Sequence, residues 1–323
     1  MSETRSLDGR MVWVDWMKVW AMWAVIWGHF FAKGDVYVYM FNLQVFCVLS
    51  GFLYKKSPDW RSCLTRCFWQ LLIPTVILSL VMHGEAWLRC IAQGDAYPVS
   101  WLWFARWLFL GHQWCMGPCW YFYSLIVMRI LMQLLPEGRW AYVASFLALS
   151  AGAVAWHQMG MEASNANVNV LLCMPFFLIG VLLRPWRARL SGWRNLPVEC
   201  VALVVSVASL LACARWNGYV WMYLCDYGNS YLLFIIGGMS GAVILYVVSH
   251  WLERLPYRSM VVTLSRGSIL IVGLHYIVVR RLVELPDRLW GDDLLCSLLL
   301  LLLFVPLVRL AELFCPLLLG RRK

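Results

Sequence analysis

Three ionisable residues share one apolar stretch, Asp15, Lys18 and His29 in DWMKVWAMWAVIWGH (15–29). A helix turns about 100° per residue, so the separation between Lys18 and His29 amounts to about 20° past three full turns, over a rise of about 16 Å. Lys18 and His29 therefore lie on one face, a cation near one end and an imidazole well above it. An imidazole titrates near neutrality and suits general-base work on a hydroxyl. An ammonium on a long stem suits an anionic group such as a phosphate. Asp15 precedes Lys18 by three residues, a spacing at which acid and base can pair. That pair has two readings: a neutralised structural contact, or part of a working polar stripe. Beyond His29 the face approaches a second polar cluster, Asn42 and Gln44. Ser50 lacks the Gly-x-Ser-x-Gly surroundings of a hydrolase nucleophile, and beside Gly51 it reads as small-residue helix packing.

The elements that carry these residues are membrane helices. The chain has 323 residues, 62% hydrophobic and 14% charged, where a soluble domain has roughly 25% charged residues. Its 21 tryptophans suit a protein with many membrane–water boundaries. Apolar runs predict about ten spans, at 11–31, 36–54, 67–85, 119–136, 140–156, 168–184, 197–215, 230–249, 259–281 and 293–314. The segment 100–111 reads instead as an amphipathic helix at the interface or re-entering the protein. Lys and Arg concentrate in 55–66, 184–194, 254–258 and 321–323, while 157–169 has none. That pattern predicts both termini in the cytoplasm. The expected fold is all-α, a polytopic bundle forming one integral-membrane domain over 1–323, with the first helix retained rather than cleaved. The net charge of +10 orients loops rather than binding nucleic acid, for which no motif is present. The cysteines lack zinc-type spacing, and no metal site is expected.

Asp15-x2-Lys18-x10-His29 resembles the opening motif of the integral-membrane acyltransferase-3 family, in which an aspartate, a basic residue (commonly Arg) and a catalytic histidine hold this spacing. FNLQVFCVLSGFLYKK (41–56) is similar to that family's second helix; Ser50, Gly51 and Phe52 match, whereas Asn42 and Gln44 stand where many members have His and Pro. Arg61-x4-Arg66 followed by LLIPT (71–75) resembles the basic loop and Leu–Pro start of the third helix. GPCWYFYSLIVMRIL (117–131), MPFFLIGVLLR (174–184) and LSRGSILIVGLHYIV (264–278) are similar to later segments, in the right order.

The resemblance implies acyl transfer, usually of acetyl, from a cytoplasmic acyl-CoA to a hydroxyl of a cell-surface or lipid-linked carbohydrate. His29 is then the general base, with the alternative that it carries the acyl group itself, and Asp15 belongs to the same catalytic motif. Lys18, Arg66 and Arg61 are expected to hold the phosphates of acetyl-CoA. Asn42, Trp120, Tyr121 and His275 are expected to line the acceptor site, the aromatic rings facing sugar. For the basic loop and the aromatic pair, plain positive-inside topology and interfacial anchoring are the competing readings. The competing function is a transporter or flippase of a lipid-linked or acylated substrate, with the buried charges along its path. Against it, the sequence has no inverted hydropathy repeat. The expected partners are acyl-CoA, a glycan acceptor and membrane lipid, in a plasma or bacterial inner membrane.

Overall fold

The computed structural model describes residues 10–31, 34–96, 99–112, 116–161, 163, 165–284 and 293–321. Among them every regular element is helical. The order begins α1 (Val12–Gly28), α2 (Asp35–Tyr39), α3 (Asn42–Phe52), α4 (Trp60–Cys67), α5 (Ile73–Gln93), α6 (Trp101–Leu110), α7 (Trp120–Leu134) and α8 (Arg139–Gln158). It continues with α9 (Val170–Leu183), α10 (Arg187–Gly192), α11 (Leu196–Asn217), α12 (Tyr231–Leu252), α13 (Arg258–Arg266), α14 (Ser268–Glu284) and α15 (Asp293–Phe314).

α1 is strongly apolar apart from Asp15 and Lys18 and buried on most of its faces, and a helix of that kind belongs in the middle of a bundle. It packs against α2 and α3, and against α12, α13, α14 and α15. Trp16, Trp20, Trp23 and Trp27 recur every three or four residues, so their rings meet in a ladder, with centroids 6.3, 5.7 and 5.5 Å apart. Trp23 Nε1 donates to Ser297 Oγ at 2.9 Å, which ties the ladder to α15.

The tightest crossing joins α3 to α9. A Cβ on Gly51 would lie 1.8 Å from the Phe177 carbonyl oxygen, and one on Gly180 would lie 2.0 Å from that of Val48. Each helix therefore puts a glycine against the other's backbone, the small-residue packing that membrane helices use to approach closely. This fixes α3, and with it Asn42 at its start, against the bundle.

Among the described residues, six helical stretches are long and apolar enough to cross a membrane: Asp35–Phe52, Trp60–Gln93, Val170–Gly192, Leu196–Asn217, Tyr231–Leu252 and Asp293–Phe314. α13 and α14 make a seventh if their 79° bend is counted within one span. The sequence gives about ten because hydropathy reads apolar runs without regard to where a helix stops. α1 has 17 residues and α7 has 15, short of the roughly 20 that a straight crossing takes. The run 259–281 reads as one span but breaks at Gly267, where a Cβ would meet Val308 Cγ2 at 2.1 Å. Conversely, α4 and α5 join through a π-turn, Phe68–Leu72, into one stretch longer than the expected 67–85. α6 is a helix where an amphipathic one is expected, capped by Ser100 Oγ on Trp103 N–H, with Phe104 buried and Leu102 and Trp103 exposed. At the start of α4, Asp59 accepts from Ser62 N and Oγ, both at 2.8 Å, and these bonds hold its carboxyl below the usual carboxylate range.

Candidate active site

α1 ends at His29, and the chain turns there into α2 and α3. His29 Nδ1 lies 2.8 Å from the Val25 carbonyl oxygen and 3.1 Å from His275 Nε2. His275 is fully buried on α14, and its own Nδ1 lies 3.1 Å from the Ile271 carbonyl oxygen. A carbonyl only accepts, so in the neutral rings Nδ1 carries the proton in both, and His275 Nε2 is left to accept from His29. His29 Nε2, the remaining lone pair, has no partner among the described residues. The Tyr276 ring stands edge-on to His29, centroids 5.2 Å apart.

His29 lines a cavity of about 760 Å³ together with Asn42, Trp120, Tyr39, Trp221 and Tyr276. Its wall is aromatic and braced. Trp221 stacks on Tyr219 at 5.3 Å, and Tyr39 stands 5.1 Å from Trp221. The Tyr219 hydroxyl donates to Asp35 Oδ1 at 2.6 Å, which keeps the phenolic proton in place and pushes the group's pKa up.

Lys18 lines a second cavity, of about 390 Å³, with Arg66, Arg129, Lys55, Gln70 and Tyr121. Among the described residues its ammonium forms no ion pair or hydrogen bond. Asp15, the expected partner, points elsewhere: it accepts from Arg10 Nε and Nη2 at 2.6 and 2.8 Å and from Ser265 Oγ at 2.6 Å. Arg10 approaches with the fork geometry that matches both carboxylate oxygens. Asp15 thus lines neither cavity and ties α1 to α13. Lys18 is a cation facing open space.

Of the expected site residues, His29, Asn42 and Trp120 meet at the larger cavity, and Lys18, Arg66 and Tyr121 at the smaller one. Tyr121 therefore separates from Trp120. Consecutive helical residues point about 100° apart, and the Tyr121 hydroxyl meets Ser50 Oγ at 3.1 Å beside the Lys18 cavity. Arg61 is exposed and lines neither cavity. His275 lines neither and touches His29 instead. Arg129 stands out in the sequence as a charge within an apolar run, yet only the fold brings it to the Lys18 cavity, where its Nη1 donates to Gln70 Oε1 at 3.3 Å. Trp221 and Tyr39 carry no sequence signal beyond being aromatic.

The two cavities abut. Leu43 and Val272 line both, one adjacent to Asn42 and the other a turn below His275. A cation-lined chamber and an imidazole-lined chamber thus share an apolar wall at Leu43 and Val272. Such a pair can hold a polyanion on one side and remove a proton from a hydroxyl on the other.

The family model described as an acyltransferase domain matches residues 11–315. No curated protein and no solved structure matches the chain.

Proposed function

We propose, from the premise that this chain belongs to the acyltransferase-3 family, that it is a membrane O-acyltransferase with acetyl-CoA as donor and a carbohydrate hydroxyl as acceptor. The observation that carries the reading is the meeting of the Lys18 and His29 cavities at Leu43 and Val272. Lys18, Arg66 and Arg129 offer cations to the phosphates of the donor, and Lys18, which has no ion pair or hydrogen bond among the described residues, has its donors open to an anion. In this reading Leu43 and Val272 part to form a neck, which the thioester end reaches. On the other side, Trp120, Tyr39 and Trp221 offer ring faces to a sugar. His29 Nε2 takes the proton from the acceptor hydroxyl as the hydroxyl oxygen bonds to the thioester carbon. The carbon–sulfur bond then breaks, and the leaving thiolate takes that proton from the imidazolium. Through this cycle His29 Nδ1–H stays on Val25 O and His275 Nε2, which hold the ring's orientation and share its charge.

The concentration of Lys and Arg in 55–66, 184–194, 254–258 and 321–323 of the sequence supports a cytoplasmic Lys18 side under the positive-inside rule. The donor is cytoplasmic, and the acceptor chamber then faces the opposite side of a plasma or bacterial inner membrane. Membranes holding the wild type are expected to transfer label from radiolabelled acetyl-CoA into alkali-labile esters, and membranes holding His29→Ala are not. Equal labelling by the two would remove His29 as the base. Absence of transfer from acetyl-CoA or longer acyl-CoAs by the wild type would overturn the enzyme reading in favour of a transporter.

A further inference from the structure

We infer that Asn42 and the N-terminus of α3 form the oxyanion site of the transfer, so that Asn42 is a catalytic residue facing the thioester and not an acceptor contact. The inference rests on the acyl-transfer reading above and deepens it. Asn42 is only 3% exposed, yet it lines the His29 cavity. Its Oδ1 accepts from the Leu43 N–H at 2.7 Å, which settles which way the amide faces. Nδ2 is left over, and among the described residues nothing accepts from it. On a residue that lines the cavity, a donor with no protein partner is open to a ligand acceptor.

Its position says which ligand. Asn42 opens an 11-residue helix, whose peptide dipoles place their positive end at the cavity. The next residue, Leu43, borders both cavities. The amide therefore stands at the neck, where a thioester from the Lys18 side meets a hydroxyl from the His29 side. When the hydroxyl oxygen adds to the thioester carbon, the carbonyl electron pair moves onto its oxygen. That oxygen gains a full negative charge, and a fixed N–H donor stabilises the charge without reorganisation. Collapse returns the pair, expels the thiolate and forms the ester. Gly51 and Gly180, by locking α3 to α9, keep the donor from moving.

Asn42→Asp separates this role from a structural one, because Asp still accepts from Leu43 N–H but has no amide donor. With [14C]acetyl-CoA and isolated membranes as the acceptor pool, Asn42→Asp and Asn42→Ala are expected to lose about 100- to 1,000-fold in kcat. Equilibrium binding of CoA to the purified variants should be unchanged. Asn42→Ser, which keeps a short donor and acceptor, should fall between them and the wild type, and its binding of CoA guards against a misfolded Asp or Ala variant. Two results would overturn the proposal while leaving the enzyme reading intact: wild-type kcat in Asn42→Asp, or a change confined to the dependence on acceptor membranes. A wild type that transfers no label defeats both readings together.

Discussion

At the scale of the residue, the opening helix holds one imidazole nitrogen with no partner and one ammonium with no ion pair or hydrogen bond among the described residues. The spacing of Lys18 and His29 was readable in the sequence, because a helical angle fixes which side chains share a face. Their partners were not readable. His275 reaches His29 from 246 positions away, and Ser265 reaches Asp15 from 250, contacts that only tertiary packing creates. Asp15 and Lys18 illustrate the limit of spacing. Three residues apart allow a pair, but Arg10 meets both Asp15 oxygens with its planar fork, a geometry an ammonium lacks. The consequence is that Lys18 is available to a ligand. Lys18→Ala should raise the apparent KM for acetyl-CoA by about 10- to 100-fold, the usual worth of a hydrogen bond to a charged group, with kcat little changed. Steady-state kinetics on membranes checks this, and an unchanged KM would remove Lys18 from the donor site.

At the scale of the element, the helical nature of the chain and the amphipathic α6 follow directly from hydropathy. Where helices break does not. The Gly267 bend lies inside the run 259–281 that hydropathy reads as one span, and there Val308 packs where a side chain would go. Arg61 and Arg66 look equivalent in a basic loop, yet five residues of helix turn about 500°, so one faces out and the other faces the cavity. Ser50 beside Gly51 reads from the sequence as small-residue packing; Gly51 does pack at the α3–α9 crossing, whereas Ser50 lines the Lys18 cavity and meets the Tyr121 hydroxyl. Gly51→Ala should lower the thermal stability of the purified protein by at least the about 1–3 kcal/mol of an overpacked core site, because its methyl would run into the Phe177 backbone. Gly84→Ala is the matched comparison: on α5 a methyl there meets nothing within 4 Å, and replacing a mid-helix glycine is worth about 0.5–1 kcal/mol in the opposite direction. Thermal denaturation of the two variants in detergent checks the contrast, and equal melting would contradict the close crossing.

At the scale of the whole molecule, the bundle is built as two chambers with a common wall. α1 runs past both, carrying Lys18 beside one and His29 beside the other, and the apolar pair Leu43 and Val272 stands between. The central claim is that donor and acceptor enter from opposite faces and meet at that neck. Vesicles of defined sidedness from cells expressing the protein test it most directly. Intact inside-out vesicles given external [14C]acetyl-CoA should form alkali-labile esters at the full rate, while intact right-side-out vesicles should do so only after permeabilisation. Equal labelling of the two intact preparations, or labelling of the right-side-out one alone, would contradict the account.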